Sequence, residues 1–138
     1  MTRVNVGIEP RELCDQHLLA EIRELPRCYS YRTDAGPWEF TLGKGHVLWC
    51  ARYFGSLHTR HMGLWAEALF RGFNVRMPPS PQRLTSDNAG RWSISDAWHA
   101  RPLLRERISL RLSQMIRVPK WTKRERPAWT LPNLKALP

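Results

Sequence analysis

The stretch CDQHLLAEIRELPR, residues 14–27, decides how the chain is read. At roughly 100° per residue, Cys14, Leu18, Leu19, Ile22 and Leu25 fall on one arc of a helix. Gln16, His17, Ala20, Arg23, Glu24 and Arg27 fall on the other. The first arc is the apolar stripe with which a helix enters a core, and the second faces outward. Pro10, Arg11 and Glu12 introduce this helix upstream, and Pro26 ends it at about Leu25.

Working outward, the loop YSYRTDAGPWEFTLGKGH, residues 29–46, leads to a second helical pattern over Phe54–Arg71. Its apolar positions are Leu57, Leu64, Trp65, Ala68 and Leu69, and Gly72 stands where a C-terminal cap glycine belongs. NVRMPPSPQRLTSDNAGRWS, residues 74–93, is rich in Pro, Ser, Asn and Gly and reads as a long irregular connection. A third helix is expected with Pro102 near its first turn and Leu104, Ile108, Leu112 and Met115 as its stripe. It also carries Arg101, Arg105, Arg107, Arg111 and Arg117. The tail from Val118 contains four prolines and cannot be helical throughout. The pattern is that of one all-α domain, residues 1–138, with three main helices.

A chain of 138 residues is long enough to bury about two-thirds of its unfolded surface, so neither disulfides nor a structural metal are needed. Hydrophobic residues at 42% and charged residues at 25% are ordinary for a globular domain. The charge balance is not ordinary: 22 Lys and Arg against 12 Asp and Glu give a net +10. With a pI near 10.6, the expected partner is a polyanion, and nucleic acid comes first. Cys14, Cys28 and Cys50 show no CxxC spacing and read as reduced, buried thiols of a cytosolic protein. No apolar run reaches the length of a membrane span and no signal-peptide core is present, so a cytoplasmic protein without membrane contact is expected.

Glu24 lies between Arg23 and Arg27, with His17 two turns back. The ordinary reading of such a face is a solvated surface with a local ion pair. The N-terminus shifts the balance. Thr2 is small enough to permit removal of Met1, which would free an α-amine. Such an amine has an ordinary pKa of about 7.7–8.0, far below that of Lys. Among Arg3, Arg23 and Arg27 it would fall further and become nucleophilic. An amine beside one carboxylate in a basic cleft is what imine chemistry on DNA requires.

Competing patterns are weaker. GKGH, residues 43–46, lacks the spacing and hydroxyl residue of a phosphate-binding P-loop. His58 and His61 are three apart but have no acidic or thiol partner nearby except Glu67, so they read as surface or supporting residues and no metal is expected. His46 reads as a buried, hydrogen-bonded histidine where a loop meets a helix. In the tail, Lys120, Lys123, Arg124 and Arg126 alternate with Trp121 and Trp129. The cations suit phosphates and the rings suit sugars or bases, while a core role for Trp121 fits its spacing equally well.

MTRVNV, LCDQHLLAEIRELPR, GKGHV, RGFNV and VPKW, in that order along nearly the whole chain, resemble the pyrimidine-dimer DNA glycosylases. The resemblance implies a compact domain whose N-terminal segment is inserted between helices one and three, with long irregular loops and an extended C-terminal tail. It implies a DNA repair glycosylase with abasic-site lyase activity by β-elimination. In that chemistry the α-amine of Thr2 attacks the damaged nucleotide's anomeric carbon to form a Schiff base, and Glu24 stabilises the cationic sugar and moves the proton. Arg3, Arg23 and Arg27 match arginines that hold phosphates, and Gln16 and His17 match the same DNA-facing surface. Arg107, Arg111, Arg117, Lys120, Trp121 and Lys123 complete the expected DNA-binding set.

No cofactor is implied. The implied partner is double-stranded DNA containing pyrimidine dimers or abasic sites, strongly kinked with a base flipped out. A monomer with no obligate protein partner is expected, in the cytoplasm of a bacterium or a phage-infected host. The chain departs from the family's best-known member in a shorter, less basic loop CYSYRTDAGPWEF, in Leu110 and Gln114 at basic positions, and in TKRERPAWT, where Lys123 is the clearest match. The same imine chemistry on another damaged base, or a non-catalytic DNA-binding module, are the alternatives.

Overall fold

The computed structural model describes residues 4–30, 40, 42, 45–78 and 90–130. Thr2 and Arg3 lie outside these residues, as do most of the two long loops and the last residues of the tail. The described residues form four α-helices and no strand: α1 (Asp15–Glu24), α2 (Gly45–Arg52), α3 (Phe54–Phe70) and α4 (Ile94–Ser113).

The helix expected from Pro10 to Leu25 is broken in two. Pro10–Glu12 is a separate 3-10 turn, closed by reciprocal bonds between Glu9 and Glu12. Leu13 and Cys14 are then extended, which buries both completely or nearly so. α1 begins at Asp15, whose N–H donates to the Lys120 carbonyl at 2.7 Å, so the tail satisfies a donor that the helix start leaves open. Pro26 does not stop the coiling either, because the chain continues as a 3-10 turn over Leu25–Ser30.

α3 forms where the apolar spacing placed it, burying Leu57, Leu64 and Ala68. Its end is a Schellman closure: Phe73 N–H donates to Ala68 O at 2.9 Å and Gly72 N–H to Leu69 O at 3.0 Å. Gly72 sits at φ +94°, which costs a glycine little. α2 was not expected. It is short, and His46, Trp49, Cys50 and Ala51 are all buried, so it shows no polar face from which a period could be read.

α4 begins earlier than expected, which moves Pro102 from the first turn to the helix interior. Ser93 caps it, accepting from Asp96 N–H at 2.9 Å while Asp96 accepts from Ser93 N–H at 3.1 Å. Ile94, Trp98 and Leu103 are exposed, so the first half of α4 has no clean stripe to mark its start.

The N-terminal segment passes through the middle of this bundle. Val4, Val6 and Ile8 have no exposed surface. All four helices hold the segment by its polar groups. Val4 N–H donates to His46 Nε2 of α2 at 2.8 Å, and Asn5 Nδ2 donates to Glu21 Oε1 of α1 at 2.6 Å. Arg60 Nη1 of α3 donates to Ile8 O at 2.7 Å, and Arg101 Nη1 of α4 donates to Gly7 O at 2.6 Å. Gly7 lies at φ +84° against α4, where a Cβ would come 2.3 Å from the Ala97 carbonyl oxygen. Only glycine fits that approach.

Residues 120–124 clamp the start of α1 to the end of α3. Arg71, whose side chain is fully buried, pairs with Asp15 at 2.9 Å and Glu67 at 2.8 Å, and Arg124 adds a second cation on Glu67 at 2.8 Å. Burial alone would raise the Asp15 carboxyl, but hydrogen bonds from Thr122 and the Arg71 guanidinium outweigh it and hold it below its ordinary value. Glu67 is lowered in the same way, with Arg124 and Arg71 overcoming desolvation. The three cysteines are free and buried, and desolvation, with help from the Glu21 carboxylate, pushes the Cys28 thiol up to about 12.

Candidate active site

α1 carries three carboxylates, and their environments separate them. Asp15 is held by Arg71 and Thr122. Glu21, 2% exposed, accepts from Arg60 Nε at 2.5 Å and from Asn5 Nδ2 at 2.6 Å. No salt bridge among the described residues engages Glu24. It is half-buried at the last residue of α1. Two carboxylates are thus committed to the fold, and the third stands outside the salt bridges of the described residues.

Glu24 opens onto a cavity of about 40 Å³ lined also by Asn5, His17, Glu21, Ile108 and Arg111. The N-terminal segment, α1 and α4 each contribute to its lining. His17 and Arg111, expected on the DNA-facing surface, are therefore brought to the same place as Glu24. Arg23 and Arg27 are exposed beside it, the first on α1 and the second in the turn that follows.

Other expected residues are distributed differently. Gln16 joins α1 to the tail, its Nε2 donating to Val118 O at 3.3 Å. Arg117 and Lys120 are exposed on that same stretch, and Arg107 is half-buried on α4. Trp121 requires a correction: it is 9% exposed, packs in the core and donates its indole N–H to Glu12 O at 2.9 Å. Its ring is unavailable for stacking on a base because the tail needs an apolar anchor there. Lys123 donates to Phe70 O at 3.1 Å at the end of α3 rather than standing near Glu24's cavity.

Three supporting residues had no distinguishing mark in the sequence. Asn5, Glu21 and Arg60 form a buried network that joins the N-terminal segment to α1 and α3. Glu21 precedes Glu24 by one turn, but nothing local says which of the two meets a guanidinium. His46 is buried as the sequence suggested, and its role as acceptor for Val4 N–H requires the lone pair at Nε2.

A carboxylate outside every salt bridge among the described residues, beside exposed arginines and sharing a cavity with Asn5 of the buried N-terminal segment, suits chemistry on a polyanion. The family model described as pyrimidine dimer DNA glycosylase matches residues 1–80. The chain belongs to this family. As a pyrimidine dimer DNA glycosylase it is a DNA repair enzyme, and its substrate is DNA. The matched span holds the N-terminal segment and α1 to α3, including Asn5, Glu21, Glu24 and Arg60. α4, which brings Arg111 and Ile108 to the cavity, lies beyond it.

Proposed function

We propose that this glycosylase works through an imine between the α-amine of Thr2 and C1′ of the damaged nucleotide, and that it then cleaves the strand as an abasic-site lyase. The observation that carries the reading is Glu24, the carboxylate of α1 without a salt bridge among the described residues, sharing a small cavity with Asn5 of the anchored N-terminal segment. Thr2 is two residues upstream of Val4 in the sequence. Val4 itself is pinned by His46.

In the first step the neutral amine forms a bond to C1′ as the glycosidic bond breaks and the base leaves with one amine proton; the C1′–O4′ bond then breaks as C1′=N forms, and O4′ takes up the second amine proton. Glu24 in its ionised form stabilises the positive charge that develops on the sugar. The same carboxylate then takes a proton from C2′ of the imine, and the electron pair expels the 3′ phosphate. In this reading Arg23, Arg27 and Arg111 hold the flanking phosphates; the exposure of all three and the position of Arg111 on the cavity lining support it. Thr2, Arg3 and the other matched positions take the roles that the family resemblance gives them.

Borohydride reduction in the presence of abasic or ultraviolet-irradiated duplex tests this reading. The protein beginning at Thr2 should become covalently joined to DNA, with the crosslink mapped to the α-amine. Glu24→Gln should bind the duplex but lose strand cleavage by about a hundredfold or more. A crosslink mapped to a lysine, or efficient trapping of a form that retains Met1, would remove the α-amine from the mechanism.

A further inference from the structure

We propose that Ile116 is an apolar wedge: it inserts into the base stack beside the damaged nucleotide and makes the enzyme prefer damaged over intact duplex. The inference goes beyond the chemistry above and rests on one part of that reading, that the damaged nucleotide lies at Glu24.

A single exposed apolar side chain on a surface needs no explanation. The setting of Ile116 does. At 103% relative exposure it is more open than any other large apolar side chain among the described residues, and Val118 beside it is 62% exposed. Yet the link that carries them is pinned at both ends. On the α4 side, Gln114 N–H donates to Arg111 O at 3.1 Å, Met115 N–H donates to Leu112 O at 3.3 Å, and the Met115 side chain packs against the core. On the α1 side, Val118 O accepts from Gln16 Nε2 at 3.3 Å, Pro119 is buried, and Lys120 O accepts from Asp15 N–H at 2.7 Å. A side chain presented on such a link is already ordered, so seating it in a partner costs little further entropy.

The link also joins the two helices that line Glu24's cavity, α4 through Arg111 and α1 through His17, the residue after Gln16. Ile94 and Trp98 are exposed too, but Ile94 opens α4 and lies about 26 Å along the helix from Arg111.

Charge decides what covers Ile116. From Arg107 to Lys120 the chain carries Arg107, Arg111, Arg117 and Lys120 and no carboxylate. A second copy of this chain, with its net charge of +10, is repelled by that surface, whereas a nucleic-acid backbone is drawn to it. Once phosphates are held on either side, the apolar tip meets the bases. Apolar side chains that enter a base step part the stacked bases and kink the duplex. That cost is least where a base is damaged or missing, so the gain from burying Ile116 is realised at a lesion and not in intact DNA.

The probe is a duplex containing a tetrahydrofuran abasic analogue, which β-elimination cannot cleave, compared with the same duplex undamaged. Ile116→Ala should weaken binding to the analogue duplex by at least about tenfold, because the apolar atoms beyond Cβ are those the stack buries, and should leave the intact duplex within about twofold. Ile116→Leu should keep the parental preference. At saturating protein, 2-aminopurine in a base pair flanking the analogue should brighten with the parent and lose most of that rise with Ile116→Ala. Unchanged binding of the analogue duplex, or an equal loss on both duplexes as a phosphate contact would give, overturns the proposal. So does a lower melting temperature of Ile116→Ala, or a parental dimer that this variant loses, since either would show that protein covers the side chain. Normal strand cleavage by Glu24→Gln would reject Glu24's cavity as the site, and with it the wedge's placement, on a readout independent of binding.

Discussion

Replacing Glu21 by Gln keeps the side chain's shape but leaves the Arg60 guanidinium, only 8% exposed, without its counter-charge. Breaking a buried ion pair from one side costs about 3–5 kcal/mol, because the remaining charge stays desolvated. With about 2.1 cal/mol/K of unfolding entropy per residue, 138 residues give about 290 cal/mol/K. The melting temperature should therefore fall by about 10–17 °C. Differential scanning calorimetry of Glu21→Gln measures this directly. The double variant Glu21→Leu with Arg60→Met removes both charges and replaces them with apolar volume, which is often close to neutral for stability. It should recover most of the lost melting temperature. Yet Asn5 and the Ile8 carbonyl would still lack the partners they have at 2.6 Å and 2.7 Å, so the N-terminal segment would remain loosened. Borohydride trapping should stay at least about tenfold slower than in the parent, since a shift of about 1 Å in a positioned nucleophile can cost a hundredfold. A loss below about 1 kcal/mol in Glu21→Gln would refute the energetic reasoning. Trapping fully restored in the stable double variant would show that the network supports the fold without positioning the chain end.

Gly7→Ala should destabilise by about 1–3 kcal/mol through its positive φ alone, and the added Cβ, 2.3 Å from the Ala97 oxygen, should push the segment away from α4; thermal melting and trapping rate both read this out. Asp15 and Glu67 are held below their ordinary values of 3.8 and 4.5, so the unfolded chain binds more protons than the native one at acid pH. Stability from these groups is complete above those values and should be lost as pH falls below them; melting curves between neutral and acid pH should show that decline, and Asp15→Asn should flatten it. Affinity for duplex DNA should fall steeply with salt, at a log–log slope of about −0.9 per neutralised phosphate, and Arg111→Ala should make the slope shallower by about one such unit. An affinity independent of salt would contradict the basic face as the DNA-binding surface.

How much of this was legible before folding differs from element to element. The span and stop of α3 could be read from its apolar spacing and Gly72, and Leu57, Leu64 and Ala68 of its expected face are buried, but Leu69 is exposed and Trp65 half-buried. The outward arc of α1 could be read too, and with it Glu24 and its neighbouring arginines. α2 and the start of α4 could not, since one is buried nearly all round and the other is exposed through most of its first two turns, and neither condition leaves a period. Trp121 was ambiguous from spacing alone, because cations flank a core tryptophan in the tail as they would a stacking one; its burial and its bond to Glu12 settle where it belongs.

The amino-acid sequence by itself determined an all-α basic domain and a helix face with one carboxylate among arginines, because periodicity and charge are local properties of the chain. The tertiary structure decided which carboxylate of α1 stands outside the salt bridges of the described residues. Glu21 and Glu24 are alike in chemistry and one turn apart, and they part company only because Arg60, 39 residues beyond Glu21, closes on one of them from α3. Burial then ties the Glu21 charge to that partner, while Glu24, facing the cavity with Asn5, stays outside every described ion pair.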